Sequence, residues 1–318
     1  MLLQIGILLA GLVLILVGAN WLVDGSSSIA KRFGISEFVI GMTIVGIGTS
    51  TPEMVVSFIS SIQGKAAMAV GNIVGSNVFN TLLILGVTAL ISPLVITKSN
   101  LRRDIPMNIF VTVLLILLGL NHSIFGLGAG DQLSRIDGAI LLAFFVWYLY
   151  ITIKKDVPDE GDSQTKVYNV AVSILLVVGG LAALIFGGRI FVQSAEQIAL
   201  MAGLSEKFVG ITILAGGTSF PELATCIVAA CKGKGQLALG NILGSNISNI
   251  LLILGGAALI HPLSFAGMSM VDLTTLFLAS LFILLSAFTF KQRKLDRAEG
   301  AILLAMEACY MTYLIINL

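Results

Sequence analysis
Ten apolar segments recur along the chain, each near the ~20 residues that an α-helix needs to cross a bilayer. They run over 3–24, 37–61, 69–92, 104–120, 135–153, 168–190, 206–230, 238–260, 270–290 and 299–317. The second, third, seventh and eighth are interrupted by Gly, Ser, Thr and Asn, so a hydropathy scan scores them weakly. The polar break Lys154-Lys155-Asp156-Val157-Pro158-Asp159-Glu160-Gly161-Asp162 reads as an exposed linker. It divides the chain into a five-segment half at 1–153, a linker at 154–167 and a second five-segment half at 168–318. The pattern predicts an all-α membrane protein with ten transmembrane helices.

The halves are copies. Setting each residue against the one 169 further on aligns Gly34-Ile35-Ser36-Glu37 with Gly203-Leu204-Ser205-Glu206. The same offset aligns Gly71-Asn72-Ile73-Val74-Gly75-Ser76-Asn77 with Gly240-Asn241-Ile242-Leu243-Gly244-Ser245-Asn246. Over 34–94 against 203–263, 31 of 61 positions are identical without a gap, which establishes an internal duplication. Five spans is an odd number, so the second copy must enter the membrane from the opposite side. That makes an inverted-topology repeat, whose site is expected at the repeat interface near the midplane.

Basic residues orient the chain. With the N-terminus outside, fourteen Lys and Arg fall on inner loops and helix ends and four (Lys65, Arg135, Arg189, Lys207) on the outer side. This positive-inside bias places both termini outside and the linker in the cytoplasm. Composition agrees with a membrane chain: 57% of the 318 residues are hydrophobic and 11% are charged. The net charge of +1 and the lack of a long basic run give nucleic acid no purchase. Cys226, Cys231 and Cys309 lie in or beside apolar segments without metal-site spacing and read as small packing residues. The first apolar stretch has no basic leader and is expected to be a retained helix, not a cleaved signal.

Candidate chemistry concentrates in one hexapeptide present twice, Gly48-Thr49-Ser50-Thr51-Pro52-Glu53 and Gly217-Thr218-Ser219-Phe220-Pro221-Glu222. An ionisable group at membrane depth costs about 2.5–3.5 kcal/mol on insertion scales, and by default it marks a functional site. A structural role for Glu53 and Glu222 would need a Lys or Arg partner, yet these four segments carry basic residues only at their ends. Two unpaired carboxylates would repel or take up protons, and a shared cation removes that conflict. Pro52 and Pro221 free carbonyls near Thr49 and Thr218 for the same purpose. Ser50 with Glu53, and Ser219 with Glu222, are three apart on one helical face.

A second cluster pairs Ser76 with Asn80 and Ser245 with Asn249, each four apart. Such residues serve helix packing as readily as binding; their repetition beside the glutamates favours ligands. All candidates are oxygen donors, which argues against zinc, copper and iron and for a hard cation. Ca²⁺ takes 6–8 oxygens, and two glutamates would neutralise it; the hydroxyl and amide groups also suit Na⁺. Ser36 and Ser205 read as N-caps, with Glu37 and Glu206 in first turns where the helix dipole favours acids, in preference to ion binding at the mouth. Asp24 is expected to be solvated or interfacial, and Arg189 and Glu196, near the outer end of the sixth segment, to pair with each other or with headgroups.

The two hexapeptides, with Gly71 to Asn80 and its copy, resemble the paired α-repeats of the sodium/calcium exchanger family in the calcium:cation antiporter superfamily. The match spans essentially the whole chain, and the short linker resembles compact prokaryotic members. The resemblance implies Na⁺/Ca²⁺ antiport by alternating access in a prokaryotic inner membrane, with both ions as substrates and no cofactor. It implies Glu53 and Glu222 as central Ca²⁺ ligands, with backbone carbonyls from Thr49 and Thr218. Ser50, Ser76, Ser219 and Ser245 would line flanking Na⁺ sites with the carbonyls of Gly46 and Ala215, and Asn80 and Asn249 would sit at the centre. Some members carry Asp where this chain has Asn249, so this site holds two formal charges rather than three. The long, Gly-containing first and sixth segments resemble the family's tilted pair of helices. Ca²⁺/H⁺ or K⁺-dependent exchange, or a cation channel, are the competing readings. A monomer is expected, and an enzyme is not: no nucleophile–base pair or phosphate loop is visible.

Overall fold
The computed structural model describes residues 1–126, 130–156, 166–203, 215–289 and 293–317. Helix α1 spans Leu2–Phe33 and ends at Gly34, whose left-handed φ of 63° closes the last turn onto the Ala30 carbonyl. Helices α2 (Glu37–Thr49) and α3 (Thr51–Ile62) form one path bent by 48°. Then follow α4 (Ala66–Ile91), α5 (Ile105–Gly119), the short α6 (Asn121–Phe125), α7 (Arg135–Lys154) and α8 (Val170–Met201). The rest comprises α9 (Ala215–Gly217), α10 (Phe220–Cys231), α11 (Gly235–Ile260), α12 (Met270–Ser286) and α13 (Arg297–Ile316).

Helix underlies each of the ten apolar segments, although the seventh is described only from Ala215 on. Among the described residues six helices are long and apolar enough to cross a membrane, or seven with α2–α3 counted as one span. Two expected boundaries were too short. Helix α1 runs nine residues past the predicted 24 and α8 eleven past 190. In α1 the reason is visible: Ser26, Ser27 and Ser28 are buried inside the protein, where polarity does not mark an end.

The packing is inside-out relative to a water-soluble bundle. The outer faces of α1, α7 and α8 expose Leu2, Val13, Ile136, Val146, Leu175 and Val178, a surface suited to hydrocarbon. The polar side chains gather instead at the centre of α2–α4, α10 and α11. Helices α1 and α8 run antiparallel along a seam where Gly11, Gly18 and Gly25 meet Gly187, Gly180 and Ser173. A Cβ on Gly18 would fall 2.8 Å from the Gly180 carbonyl oxygen, so only glycine permits this spacing.

Elements are exchanged between the two halves. Gly86 of α4 packs against Gly300 of α13, and Gly255 of α11 against Gly138 of α7. Two short antiparallel ribbons repeat the exchange. Leu94–Val95 (β1) pairs with Lys294–Leu295 (β4), and Gln132–Leu133 (β2) with Leu263–Ser264 (β3). Within each half a tyrosine–aspartate contact recurs: Tyr148 Oη donates to Asp104 at 3.0 Å and Tyr310 Oη to Asp272 at 2.8 Å.

Ser36 caps α2, its Oγ accepting from the Val39 N–H at 3.2 Å, as expected. Its copy Ser205, with Glu206, lies outside the described residues. Glu37 also pairs with Lys234 at 2.9 Å, and Asp24 with Lys232 at 2.7 Å. Both pairs tie the α10–α11 turn to the first half. Arg189 with Glu196 is not among the ion pairs of the described residues. At the start of the linker Asp156 accepts from Ser36 N at 2.8 Å and Ser36 Oγ at 2.6 Å, so this end of the break is docked and not free.

Candidate cation site
Backbone irregularity positions the site. The bend between α2 and α3 falls at Ser50, one residue after Thr49. Pro52 has no N–H to give the Gly48 carbonyl, and the Thr51 hydroxyl donates to that oxygen instead at 2.7 Å. Bonds from Ser50 N to Gly46 O (3.1 Å) and Met54 N to Ser50 O (3.0 Å) carry the backbone across the bend. Among the described residues, no backbone N–H crossing the break reaches the Thr49 carbonyl or, in the copy, the Thr218 carbonyl. Three π-helical turns widen the surrounding helices, at Gly41–Val45, Asn80–Ile84 and Asn249–Leu254. Such turns concentrate at functional sites, and two of these open on the candidate asparagines.

Close approach of α11 to α2 brings the halves together. A Cβ on Gly240 or Gly244 would collide with the carbonyl oxygens of Phe38 and Met42, so these two positions admit only glycine. The side chains then interlock across the halves. Ser50 Oγ donates to Glu222 Oε1 at 2.9 Å, and Ser219 Oγ donates to Glu53 Oε1 at 3.1 Å. Each serine thus serves the glutamate of the other half. Ser76 Oγ adds a bond to Glu53 Oε1 at 3.3 Å and lies 3.1 Å from Ser219 Oγ. Asn249 Nδ2 reaches Ser76 Oγ at 3.4 Å. Ser245 Oγ donates to the Gly46 carbonyl at 3.2 Å. Thr49 Oγ1 donates to Asn241 Oδ1 at 3.1 Å.

Glu53, Glu222, Ser50, Ser219, Ser245, Thr49, Asn80 and Asn249 are all 0% exposed. The expected residues therefore converge, with two qualifications. Thr218 is half-buried in the turn before α10, and Ala215 opens α9 with its side chain outside the described residues. Among the described residues, no Lys or Arg is paired with either glutamate. Among the buried oxygens that lack a hydrogen-bond partner in the described residues, four lie together in the site, Glu53 Oε2, Glu222 Oε2, Asn80 Oδ1 and Asn249 Oδ1; others, such as Asn108 Oδ1 of α5 and Glu307 Oε2 of α13, lie on other helices. Buried acceptors in an apolar bundle are satisfied as a rule, so four partnerless ones, two per half, form a donor-free oxygen set. This set is chemically fit for a hard cation. No cluster of three or more His, Cys, Asp or Glu side chains occurs among the described residues, in keeping with a site of only two carboxylates.

The sequence reading left several participants without a role. Asn77 Nδ2 donates to the Asn246 carbonyl at 3.0 Å, while Asn77 Oδ1 accepts from Asn249 Nδ2 at 3.0 Å. Asn246 Oδ1 accepts from Asn80 Nδ2 at 3.2 Å, and Asn246 Nδ2 donates to Thr81 Oγ1 at 2.8 Å. Asn72 Nδ2 reaches Ser57 Oγ at 3.0 Å, and its copy Asn241 reaches Cys226 Sγ at 3.2 Å. The available signal was their identity in both copies of the motif.

The family model for the sodium/calcium exchanger protein matches residues 3–154 and 172–316. The chain is similar to sodium/calcium exchanger MaX1 of Methanosarcina acetivorans, at 34% identity with 97% of each chain covered. It is also similar to the putative antiporter CaxA of Alkalimonas amylolytica, at 38% identity over 93% of each. A solved structure of the sodium-calcium exchanger NCX_Mj, soaked with zero Na⁺ and Ca²⁺, superposes with a TM-score of 0.84 at 34% identity. That comparison covers 98% of this chain and 99% of the other. With family model, relatives and fold in agreement over nearly the full length, the chain belongs to the sodium/calcium exchanger family.

Proposed function
We propose that this chain exchanges Na⁺ for Ca²⁺ across a membrane by alternating access. The observation that carries the reading is the set of four partnerless buried oxygens, Glu53 Oε2, Glu222 Oε2, Asn80 Oδ1 and Asn249 Oδ1, between the halves. Ca²⁺ is held by the two glutamates, with the Thr49 and Thr218 carbonyls and the central amides filling its shell. Na⁺ is held on the flanks by Ser50, Ser76, Ser219 and Ser245 with the carbonyls of Gly46 and Ala215. One divalent ion or several monovalent ones draw on the same oxygens, so their occupancies compete. Competition at a site exposed to one side at a time couples the two fluxes.

In this reading the ten segments cross the membrane as two inverted five-helix repeats, 1–153 and 168–318, joined by a cytoplasmic linker at 154–167. The reciprocal exchange of ribbons and glycine contacts between the halves supports that arrangement. The excess of basic residues on the linker side supports termini outside, and the similarity to microbial relatives supports a prokaryotic inner membrane. The protein acts as a monomer.

Proteoliposomes loaded with Na⁺ and diluted into Na⁺-free buffer are expected to accumulate ⁴⁵Ca²⁺. Uptake that follows a pH gradient and ignores Na⁺ rejects the proposal in favour of proton exchange.

A further inference from the structure
We infer that Asn77 and Asn246 are positioning residues that turn the oxygens of Asn249 and Asn80 toward the ion. We also infer that Asn77 makes position 249 select an amide over a carboxylate. The inference rests on the cation-exchange reading above and deepens it.

Asn77 follows Ser76 on α4, and Asn246 follows Ser245 on α11. Asn77 commits its Nδ2 to the Asn246 backbone carbonyl at 3.0 Å. Its Oδ1 is thereby left facing α11, where it accepts from Asn249 Nδ2 at 3.0 Å. The second proton of Asn249 Nδ2 goes to Ser76 Oγ at 3.4 Å. With the nitrogen held twice, the planar amide fixes Oδ1 on the opposite side, where it is buried without a partner. The other half repeats the device with different support. Asn246 Nδ2 is committed to Thr81 Oγ1 at 2.8 Å, its Oδ1 accepts from Asn80 Nδ2 at 3.2 Å, and Asn80 Oδ1 is partnerless.

A purely structural amide network would satisfy its oxygens as well as its nitrogens. Leaving a buried acceptor unmade costs stability, and here the cost recurs at equivalent positions of both halves. Both central amides also open π-helical turns, Asn80–Ile84 and Asn249–Leu254. The consistent outcome is nitrogen held and oxygen free, which is the polarity a cation requires.

The same locking sets the charge of the site. An aspartate at 249 has no N–H to offer Asn77 Oδ1, and its ionised oxygens would face that acceptor at close range. Asn77 cannot turn over without abandoning the Asn246 carbonyl. Position 249 is therefore held to a neutral oxygen ligand, and the site keeps two formal charges.

The test measures the Ca²⁺ dissociation constant by calorimetric titration of the purified full chain with CaCl₂, beside its melting temperature without added ions. Asn77→Leu and Asn246→Leu are expected to weaken Ca²⁺ binding about 10–100-fold, the usual effect of removing a group that orients a ligand. Asn77→Ser supplies a milder variant should the leucine forms not fold. Asn249→Asp is expected to weaken binding too, and Asn77→Leu/Asn249→Asp to lose less than the two single losses combined. A lowered melting temperature with an unchanged dissociation constant would show a packing role and overturn the inference, as would strict additivity in the double variant. Wild-type protein that binds no Ca²⁺ overturns the exchange reading and this one with it. Wild-type binding with unaffected variants overturns this one alone.

Discussion
Glu222→Gln isolates the charge at the centre of the site. The glutamine side chain has nearly the same shape, and its amide oxygen can still accept the Ser50 bond that now reaches Glu222 Oε1 at 2.9 Å. The amide nitrogen then takes the place of the partnerless Oε2. One of four free oxygens becomes a donor aimed where a cation would sit, and one of two formal charges is lost. Removing one member of a buried charge pair costs about 3–5 kcal/mol. At 1.36 kcal/mol per decade this corresponds to roughly two to four decades in Ca²⁺ affinity.

Stability without ions should respond in the opposite sense. Glu222 is 0% exposed and has no Lys or Arg partner among the described residues, so the substitution removes a buried carboxyl without a balancing cation. The melting temperature without ions should therefore hold or rise while Na⁺-driven ⁴⁵Ca²⁺ uptake disappears. A Ca²⁺ affinity changed less than tenfold would refute the assignment of Glu222 as a ligand. Loss of uptake accompanied by a melting temperature several degrees lower would trace the effect to misfolding and refute the charge argument.

Three further outcomes follow from the fold. Gly18→Leu pushes a side chain into the Gly180 carbonyl and the Leu184 amide, both 2.8 Å from the ideal Cβ; overpacking of this kind costs about 1–3 kcal/mol and should lower the melting temperature. Lys234→Met should destabilise more than Lys232→Met, because the Lys234–Glu37 side chains are 10% and 20% exposed and the Lys232–Asp24 side chains 30% and 42%. The more exposed pair should contribute at most about 1 kcal/mol and fade with salt; equal effects in a salt series contradict this. In the loop after α6, the Ser123 hydroxyl and backbone N–H hold the Asp131 carboxyl below its usual range. A folded value below the unfolded one near 3.9 gives a contribution present above that pH and lost as pH falls through the folded value. The contact should therefore persist at neutral pH and open only in acid, and Ser123→Ala should return Asp131 toward an ordinary carboxyl titration by NMR.

The duplication made the site legible because one gapless offset carried both the hexapeptides and the Ser–Asn motifs. Identical residues at equivalent depth, in segments without interior basic residues, leave few ways to satisfy Glu53 and Glu222. Contacts that depend on how the halves are rotated against each other were hidden. Nothing in sequence spacing says that Ser50 bonds Glu222 in place of Glu53, three residues further along its own chain path. The Tyr148–Asp104 and Tyr310–Asp272 pairs escaped for a simpler reason. The tyrosines stand 162 apart rather than 169, because the second half is shorter before its last helix, and a gapless comparison loses them. The end of α1 was missed because Ser26-Ser27-Ser28 looks like a water-facing boundary, whereas Ser28 packs against Ser173 of α8 at 2.8 Å.

The two halves agree at the oxygens that face the site and disagree in what supports them. Thr51, whose hydroxyl satisfies the carbonyl left over by Pro52, is replaced by Phe220, whose ring packs edge-on against Phe191 with centroids 5.1 Å apart. Ser57, which steadies Asn72, becomes Cys226, which steadies Asn241. Thr81, which holds Asn246, becomes Ile250, so Asn77 turns to a backbone carbonyl instead. The glutamates inherit this difference: Glu53 Oε1 accepts from two serines and Glu222 Oε1 from one. Among the described residues, serine hydroxyls thus hold the Glu53 carboxylate from two sides and the Glu222 carboxylate from one.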